Sequence, residues 1–204
     1  GPAGGGAAAR GGGPAVRAES APEVIADRYE ILGLLGMGGM GSVYRVRDKE
    51  LDEIVALKFL RKDLVGSPGM LERFRQEVRL ARRVTHVNVA RTFDIGEHEG
   101  ERFLTMEYVE GESLAELLVR EGPLPSRRAI ELGLAIGAAL EAAHAAGVVH
   151  RDLKPENVLV EARTGRAVVT DFGIARAHDA DGHTGGMLGT AAYMAPEQVE
   201  GRSD

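Results

Sequence analysis

The stretch HRDLKPEN, residues 150–157, is the most informative part of this sequence. It comes shortly after residues 126–146, whose apolar side chains would lie on nearly all sides of a helix and therefore predict a buried one. Two short apolar stretches follow and predict strands joined by a turn. A second motif, DFG at residues 171–173, comes directly after the second strand. The sequence thus predicts two polar loops at the ends of one pair of strands.

The side chains in these two loops are suited to the handling of an anionic group. Asp152 could accept the proton of a hydroxyl group, and Lys154 could steady a phosphoryl group in transfer. Asn157 and Asp171 offer the oxygen ligands that Mg²⁺ prefers. Any single Asp in a loop is more often part of a turn or a helix cap, but neither role accounts for the whole set in this order.

A glycine-rich stretch lies closer to the N-terminus. Gly36, Gly38 and Gly41 have the spacing G-x-G-x-x-G, which lets backbone N–H groups approach a phosphate closely. The same spacing opens dinucleotide-binding units, but there a helix follows, whereas here the following residues predict a strand. By itself the motif leaves two interpretations about equally open, a nucleotide-binding loop and a glycine-rich hairpin turn.

A lysine and a glutamate in the following segments are candidates for an ion pair. Lys58 lies on a predicted strand, on the same face as Ala56, whose small side chain leaves room for a flat ring. Glu77 borders the apolar stripe of a predicted helix and should therefore have a partner, for which Lys58 is the obvious candidate. Taken alone, Lys58 would more often be a solvated edge charge and Glu77 a surface residue.

The composition is that of a globular protein and excludes several classes of function. Hydrophobic residues make up 44% of the 204 residues. The net charge of −6 argues against a nucleic-acid-binding protein, which usually carries a basic excess. There is no cysteine, which excludes disulfides and thiol chemistry and fits a reducing cytoplasm. No apolar run is long enough to span a bilayer, so we expect no membrane segment within this chain.

The periodicity of apolar residues predicts an α+β architecture after a tail. Residues 1–26, rich in Gly, Ala and Pro, predict a disordered tail. Residues 27–108 predict a mostly antiparallel sheet with one helix, and in the remaining part, residues 109–204, helices are predicted to begin at Ser113 and Ser126. The strands are predicted at residues 29–36, 42–46, 54–60, 89–95, 103–109, 158–160 and 167–170, and the helix of the first part at residues 71–81.

Together these motifs resemble the signatures of the bacterial eukaryotic-like (Hanks-type) serine/threonine protein kinases. The resemblance rests on HRDLKPENVLV at residues 150–160, DFGIAR at residues 171–176 and GTAAYMAPEQ at residues 189–198, with the glycine loop and the strand lysine. It covers about residues 27–204. It implies a two-lobed kinase fold, with an antiparallel-sheet N-lobe and a mainly helical C-lobe, and transfer of the γ-phosphate of ATP to serine or threonine of proteins.

The resemblance assigns a role to each candidate residue. Asp152 would orient the substrate hydroxyl as a base beside Lys154, while Lys58 would bind the α- and β-phosphates and pair with Glu77 in the active state. The residues that would bind ATP and its metal are Gly36, Gly38 and Gly41 over the phosphates, Val43, Ala56 and Leu159 around the adenine, Met106 as gatekeeper, Glu107 and Val109 in the hinge, and Asn157 and Asp171 as ligands of Mg²⁺ or Mn²⁺.

The segment between the DFG and APE motifs would be the activation loop of such a kinase. Thr184 is expected to be a regulatory phosphosite whose phosphate binds Arg151, and Thr190 is expected to lie beneath the peptide substrate. The resemblance implies protein substrates, self-association for autophosphorylation and a cytoplasmic location.

The end of the chain departs from the family pattern. A kinase C-lobe continues through several more helices, so we expect a catalytic domain truncated at its C-terminus. The arginine that normally pairs with Glu197 would lie further on. No catalytic residue is missing from the motifs, which argues against a pseudokinase. The alternative, from another class of function, is that the chain as given is an inactive nucleotide-binding fragment.

Overall fold

The structure is a computed structural model that describes residues 23–38, 41–60, 68–172 and 191–199. Its N-terminal part consists of β1 (Val24–Ile25), β2 (Tyr29–Gly38), β3 (Gly41–Asp48), β4 (Glu53–Phe59), α1 (Pro68–Ala81), β5 (Thr92–His98) and β6 (Glu101–Glu107). The strands form one six-stranded antiparallel sheet in the order β1-β2-β3-β4-β6-β5. Because β6 lies between β4 and β5, the chain passes through α1 to the far edge of the sheet and then turns back.

Strand β1 lies within residues 1–26, which the composition assigned to a disordered tail. It pairs with the start of β2, and the Ile25 side chain is almost completely buried. Regular structure therefore begins before Asp27, because two apolar residues next to the tail are enough to add an edge strand. Residues 1–22 lie outside the described residues.

Helix α1 packs against the sheet through one apolar stripe, as its periodicity predicted. Phe74 and Val78 are buried in a core cluster with Ala56 of β4 and Met106 of β6. Burial of a Phe or Val side chain stabilises a fold by roughly 1.5–3 kcal/mol. Glu77 lies next to this stripe, so the packing of α1 brings its carboxylate toward the inside of the molecule.

The C-terminal part contains β7 (Gly111–Ser113), α2 (Leu114–Glu121), α3 (Ser126–Ala145), β8 (Val158–Glu161), β9 (Ala167–Val169) and α4 (Pro196–Val199). Strands β7, β8 and β9 form a second antiparallel sheet. The predicted capping box of α2 is confirmed: the Glu116 N–H donates to Ser113 Oγ at 3.1 Å, and the Ser113 N–H donates to Glu116 Oε2 at 2.8 Å. Helix α3 begins at Ser126 as predicted, but its N-cap is Pro125 and no side chain caps it.

Helix α3, predicted to be a buried helix, is covered along one side by the described part of the chain. Leu132, Ala139 and Ala143 are buried in the main core cluster with residues of β8 and β9. Ile130 and Leu134 are 61% and 70% exposed within the part of the chain that the structure describes. The alanines let the small sheet approach one side of the helix closely, and the described residues cover that side.

The segment that follows α1 joins the two parts of the molecule. Val89 forms a parallel bridge with Val169, where the Ala90 N–H donates to the Val169 carbonyl at 2.9 Å. Asn88 Nδ2 donates to the Ala167 carbonyl at 2.7 Å. These bonds fix β9, and the polar loop after it, beside the N-terminal sheet. Among the described helices, none has the length and apolar character needed to cross a membrane.

Candidate active site

The glycine-rich stretch forms the hairpin between β2 and β3. The two strands pair antiparallel, with Gly36 opposite Val43 and Gly38 opposite Gly41, while residues 39–40 lie outside the described part. Gly41 has a φ of 134°, and a Cβ at this position would lie 1.9 Å from the carbonyl oxygen of Phe59. Only glycine fits there. Because a strand and not a helix follows the motif, the dinucleotide-binding alternative is excluded.

Lys58 is a buried residue, not a solvated edge charge. Strand β4 lies between β3 and β6 in the sheet, and α1 packs on one of its faces. The Lys58 side chain is 5% exposed, and its Nζ donates to Oδ1 of Asp171 at 2.8 Å. A buried ammonium group requires a charged partner of this kind. The structure therefore brings the strand lysine and the DFG aspartate together.

Glu77 lies in the same region and contacts Arg151, while its pair with Lys58 in the active state stays a prediction. Its Oε1 is 3.8 Å from Nη1 of Arg151, and its side chain is 13% exposed, so it is not a surface residue. The structure shows Lys58 on Asp171 and Glu77 on Arg151. Arg151 and Asp171 both have a left-handed backbone, with φ values of 66° and 64°.

Asp152 is held by two side chains and keeps one oxygen without a partner. Lys154 Nζ lies 2.8 Å from Asp152 Oδ2, and Asn157 Nδ2 donates to the same oxygen at 3.1 Å and to the Asp152 carbonyl at 2.7 Å. Oδ1 is buried and has no hydrogen-bond partner among the described residues. The carboxylate is thus oriented through one oxygen, and the other is left to accept a hydrogen bond.

The His150 ring forms hydrogen bonds with the backbone of the Asp152 loop and of the segment before Asp171. Its Nδ1 accepts from the Asp152 N–H at 3.3 Å, so the ring proton must be on Nε2, which donates to the Thr170 carbonyl at 2.9 Å. The ring packs edge-on against Phe172 with a centroid distance of 4.7 Å. Burial lowers the pKa of His150 below its usual value of 6.5, although the neighbouring carboxylates of Asp171 and Asp152 act in the opposite direction. The neutral ring links both polar loops.

The residues expected around the adenine lie in two buried clusters. Val43 packs against the cluster that holds Ala56 and Met106, which are direct partners on β4 and β6. Val109 and Leu159 belong to a second cluster. Their arrangement around an adenine ring stays a prediction.

Glu107 contributes to the fold through both its backbone and its side chain. Its N–H donates to the Arg91 carbonyl at 2.8 Å, and its carboxylate lies 3.6 Å from Nη2 of Arg166. The Glu107 N–H is therefore engaged within the protein. Arg166 also donates to the Val87 carbonyl, so it ties the turn after β8 to the segment that follows α1.

Several residues near the site had no sequence signal of their own. Thr170 Oγ1 donates to Sδ of Met106 at 3.7 Å, and Gln198 Nε2 donates to the Arg151 carbonyl at 2.8 Å. These contacts join segments far apart in the chain, so only their proximity to the DFG and APE motifs could have suggested them. Thr184 and Thr190 lie outside the described residues.

The curled antiparallel sheet, its single helix and the loops that follow the second sheet define the class of this protein: it has the protein kinase fold. Residues 29–204 match the protein kinase domain family, and the chain belongs to that family. The predicted fold class is confirmed. Members of this family use ATP and a divalent metal.

Bacterial serine/threonine-protein kinases are similar to most of this chain. It is 42% identical to pkn3 of Myxococcus xanthus over 189 residues, 43% identical to PknA of Mycobacterium tuberculosis over 184 residues, and 40% identical to PrkC of Bacillus subtilis over 179 residues. These alignments cover 88%, 87% and 87% of this chain, but only 35%, 42% and 28% of the respective relatives. The chain thus spans less than half the length of these relatives.

Solved kinase domains have the same fold. The kinase domain of PknI from Mycobacterium tuberculosis superposes with a TM-score of 0.68 at 31% identity, over 78% of this chain and 62% of that domain. A double mutant of the PknI domain gives a TM-score of 0.72 at 28% identity, over 92% of this chain and 71% of that domain.

Proposed function

We propose that this chain carries the catalytic site of a protein serine/threonine kinase that transfers the γ-phosphate of ATP to protein hydroxyl groups. The observation that supports this most directly is the Asp152 carboxylate, which is oriented by Lys154 and Asn157 and keeps a buried Oδ1 without a hydrogen-bond partner among the described residues. An unsatisfied buried oxygen costs about 1–3 kcal/mol. The hydroxyl group of a substrate would supply the missing bond.

In the proposed reaction the substrate hydroxyl oxygen bonds to the γ-phosphorus while the bond to the β,γ-bridging oxygen breaks, and ADP leaves. Asp152 Oδ1 accepts the hydrogen bond of the attacking hydroxyl and takes up its proton. Lys154, beside it, balances negative charge on the group in transfer. Lys58, whose ammonium group lies beside Asp171, would place its positive charge at the α- and β-phosphates. Such transfer depends mainly on positioning and charge neutralisation, which these residues provide.

The residues present fit a Mg²⁺ or Mn²⁺ ion at Asn157 and Asp171. The Asn157 amide nitrogen is engaged by Asp152, which leaves its oxygen as a ligand atom, and Asp171 engages Lys58 through Oδ1, which leaves Oδ2. No cluster of three or more His, Asp or Glu side chains suited to a metal occurs among the described residues. Mg²⁺ in phosphoryl-transfer enzymes typically uses one or two protein ligands together with substrate phosphates. When bound, the ion neutralises charge on the β- and γ-phosphates.

The remaining assignments belong to the same proposal. Residues 27–108 would form the N-lobe and residues 109–204 the kinase C-lobe as far as this chain extends, with the nucleotide between them. Thr190 would lie at the peptide substrate, and phosphorylation of Thr184 would activate the enzyme. Protein substrates, self-association for autophosphorylation and action in the cytoplasm, where ATP is available, follow from this role. The residues that would contact the nucleotide are Gly36, Gly38, Gly41, Val43, Ala56, Met106, Glu107, Val109 and Leu159.

The test is phosphate transfer from γ-labelled ATP by the full-length protein, followed by identification of the labelled amino acids. Lys58→Met should reduce the rate by several orders of magnitude, because the loss of a phosphate-binding charge acts directly on the transition state. Lys49→Met is the matched control, since Lys49 lies in the exposed turn after β3. Equal rates in the two variants, or label on groups other than serine and threonine, would contradict the proposal.

A further inference from the structure

Gln198 forms two hydrogen bonds that connect α4 to the loop of the proposed base. Its Oε1 accepts from the Ala195 N–H at 3.1 Å, and its Nε2 donates to the Arg151 carbonyl at 2.8 Å. The first bond is local and satisfies a backbone donor before the first turn of α4. The second joins residues 47 positions apart and reaches the peptide group directly before Asp152.

The Arg151–Asp152 peptide is held at both of its polar atoms. Its carbonyl oxygen accepts from Gln198, and its N–H donates to His150 Nδ1 at 3.3 Å. Arg151 has a φ of 66°, a backbone conformation that residues other than glycine rarely adopt and that persists only where surrounding contacts enforce it. Rotation of this peptide would move the Asp152 carboxylate, because the two share one Cα.

We propose that Gln198 is a positioning residue for phosphoryl transfer: through the Arg151 carbonyl it keeps the Arg151–Asp152 peptide in the orientation that aims Asp152 at the substrate. The residue acts through the backbone and does not touch ATP. Because α4 begins within the APE motif, the same bond couples that motif to the base. This inference rests on the role proposed above for Asp152.

An amide side chain is required because the two partners differ in kind. The Ala195 N–H needs an acceptor, and the Arg151 carbonyl needs a donor. Gln198→Glu keeps the length and the acceptor but replaces the donor with a charged oxygen facing a carbonyl. Gln198→Met keeps a similar length and removes both. A purely local role in α4 therefore predicts that the Glu variant behaves like the parent, whereas the positioning role predicts that both variants are impaired.

The experiment compares Gln198→Glu and Gln198→Met in the full-length protein with Gln76→Glu, a control at an exposed position on α1. The measurements are kcat, the KM for ATP, the Kd for ATP and the melting temperature. We expect kcat to fall about 10- to 100-fold in both Gln198 variants, since a misplacement of about 1 Å can have that effect, with the Kd for ATP changed by less than about twofold. Gln76→Glu should match the parent.

Two results would overturn the inference. One is a Gln198→Glu variant with the kcat of the parent, which would leave only the local bond to Ala195. The other is a loss of kcat that comes with a matching loss of ATP affinity and melting temperature, which would show general destabilisation. If Gln198→Met does not fold, Gln198→Glu alone decides between these outcomes. Failure of the kinase assignment is separate, because it would appear as Asp152→Asn retaining activity.

Discussion

The ion pair between Lys58 and Asp171 should stabilise the protein in the absence of nucleotide. Lys58→Met removes the ammonium group but keeps a long apolar side chain, so the Asp171 carboxylate stays in a site where 19% of the side chain is exposed. Breaking a fully buried pair lowers the free energy of unfolding by about 3–5 kcal/mol. Because Asp171 is partly exposed, we expect Lys58→Met to lower it by about 2–3 kcal/mol. Asp171→Asn leaves an ammonium that is 5% exposed and should cost at least as much.

The double variant Lys58→Met/Asp171→Asn should lose less unfolding free energy than the two single variants lose together, by about 1–3 kcal/mol. The assay is urea unfolding of the full-length protein and its variants without ATP or metal. Arg47 and Asp52 form an exposed pair on the same sheet, and the cycle of Arg47→Met and Asp52→Asn is the control, for which no measurable coupling is expected. Additivity of the Lys58 and Asp171 effects within about 0.5 kcal/mol would refute the reasoning.

Three further predictions concern other parts of the site. Burial lowers the pKa of His150 below 6.5, so the unfolded chain binds this proton more tightly and the unfolding free energy should fall as the pH drops below 6.5. Urea unfolding at several pH values should show that the unfolding free energy of His150→Asn depends less steeply on pH in this range, by at most about 1.4 kcal/mol per pH unit. Gly41→Ala should weaken ATP binding in a calorimetric titration because its Cβ would collide with the Phe59 carbonyl. A Cβ at Gly36 would meet no atom within 4 Å, so Gly36→Ala should bind ATP more tightly than Gly41→Ala. Thr184→Ala should lower autophosphorylation-dependent activity, and mass spectrometry of active enzyme should find phosphate on Thr184; an unmodified Thr184 would contradict this.

Local sequence signals predicted much of the fold. The apolar stripe of α1, the capping box at Ser113 and the alternation of faces along β4 depend on residues a few positions apart. The structure agrees with each, since Ala56 lies in one core cluster and its neighbours Val55 and Leu57 lie in another. The sequence also predicted that the loop of Asp152 and the DFG motif lie close together, because both border the same pair of short strands. Few kinds of site other than a phosphoryl-transfer site have this set of polar residues in two such loops.

Contacts between distant segments could not be predicted in the same way. Residue type and helix face predict a pair of Glu77 with Lys58 in the active state, but they give no signal for the contact of Glu77 with Arg151, which depends on how distant segments pack. The apolar residues of α3 predict a buried helix, but apolar composition does not say which faces have a neighbour among the described residues, where Ile130 is exposed. Gln198 had no periodicity or charge to mark it.

The most direct test of the central claim is the comparison of ATP binding and phosphate transfer in Asp152→Asn. The substitution keeps the shape of the side chain and removes the basic carboxylate that would take up the hydroxyl proton. The proposed function predicts that the full-length variant binds ATP with a Kd within about twofold of the parent and loses at least about 100-fold in kcat, while Asp52→Asn, at an exposed site, keeps full activity. Transfer by Asp152→Asn at the rate of the parent would contradict the account.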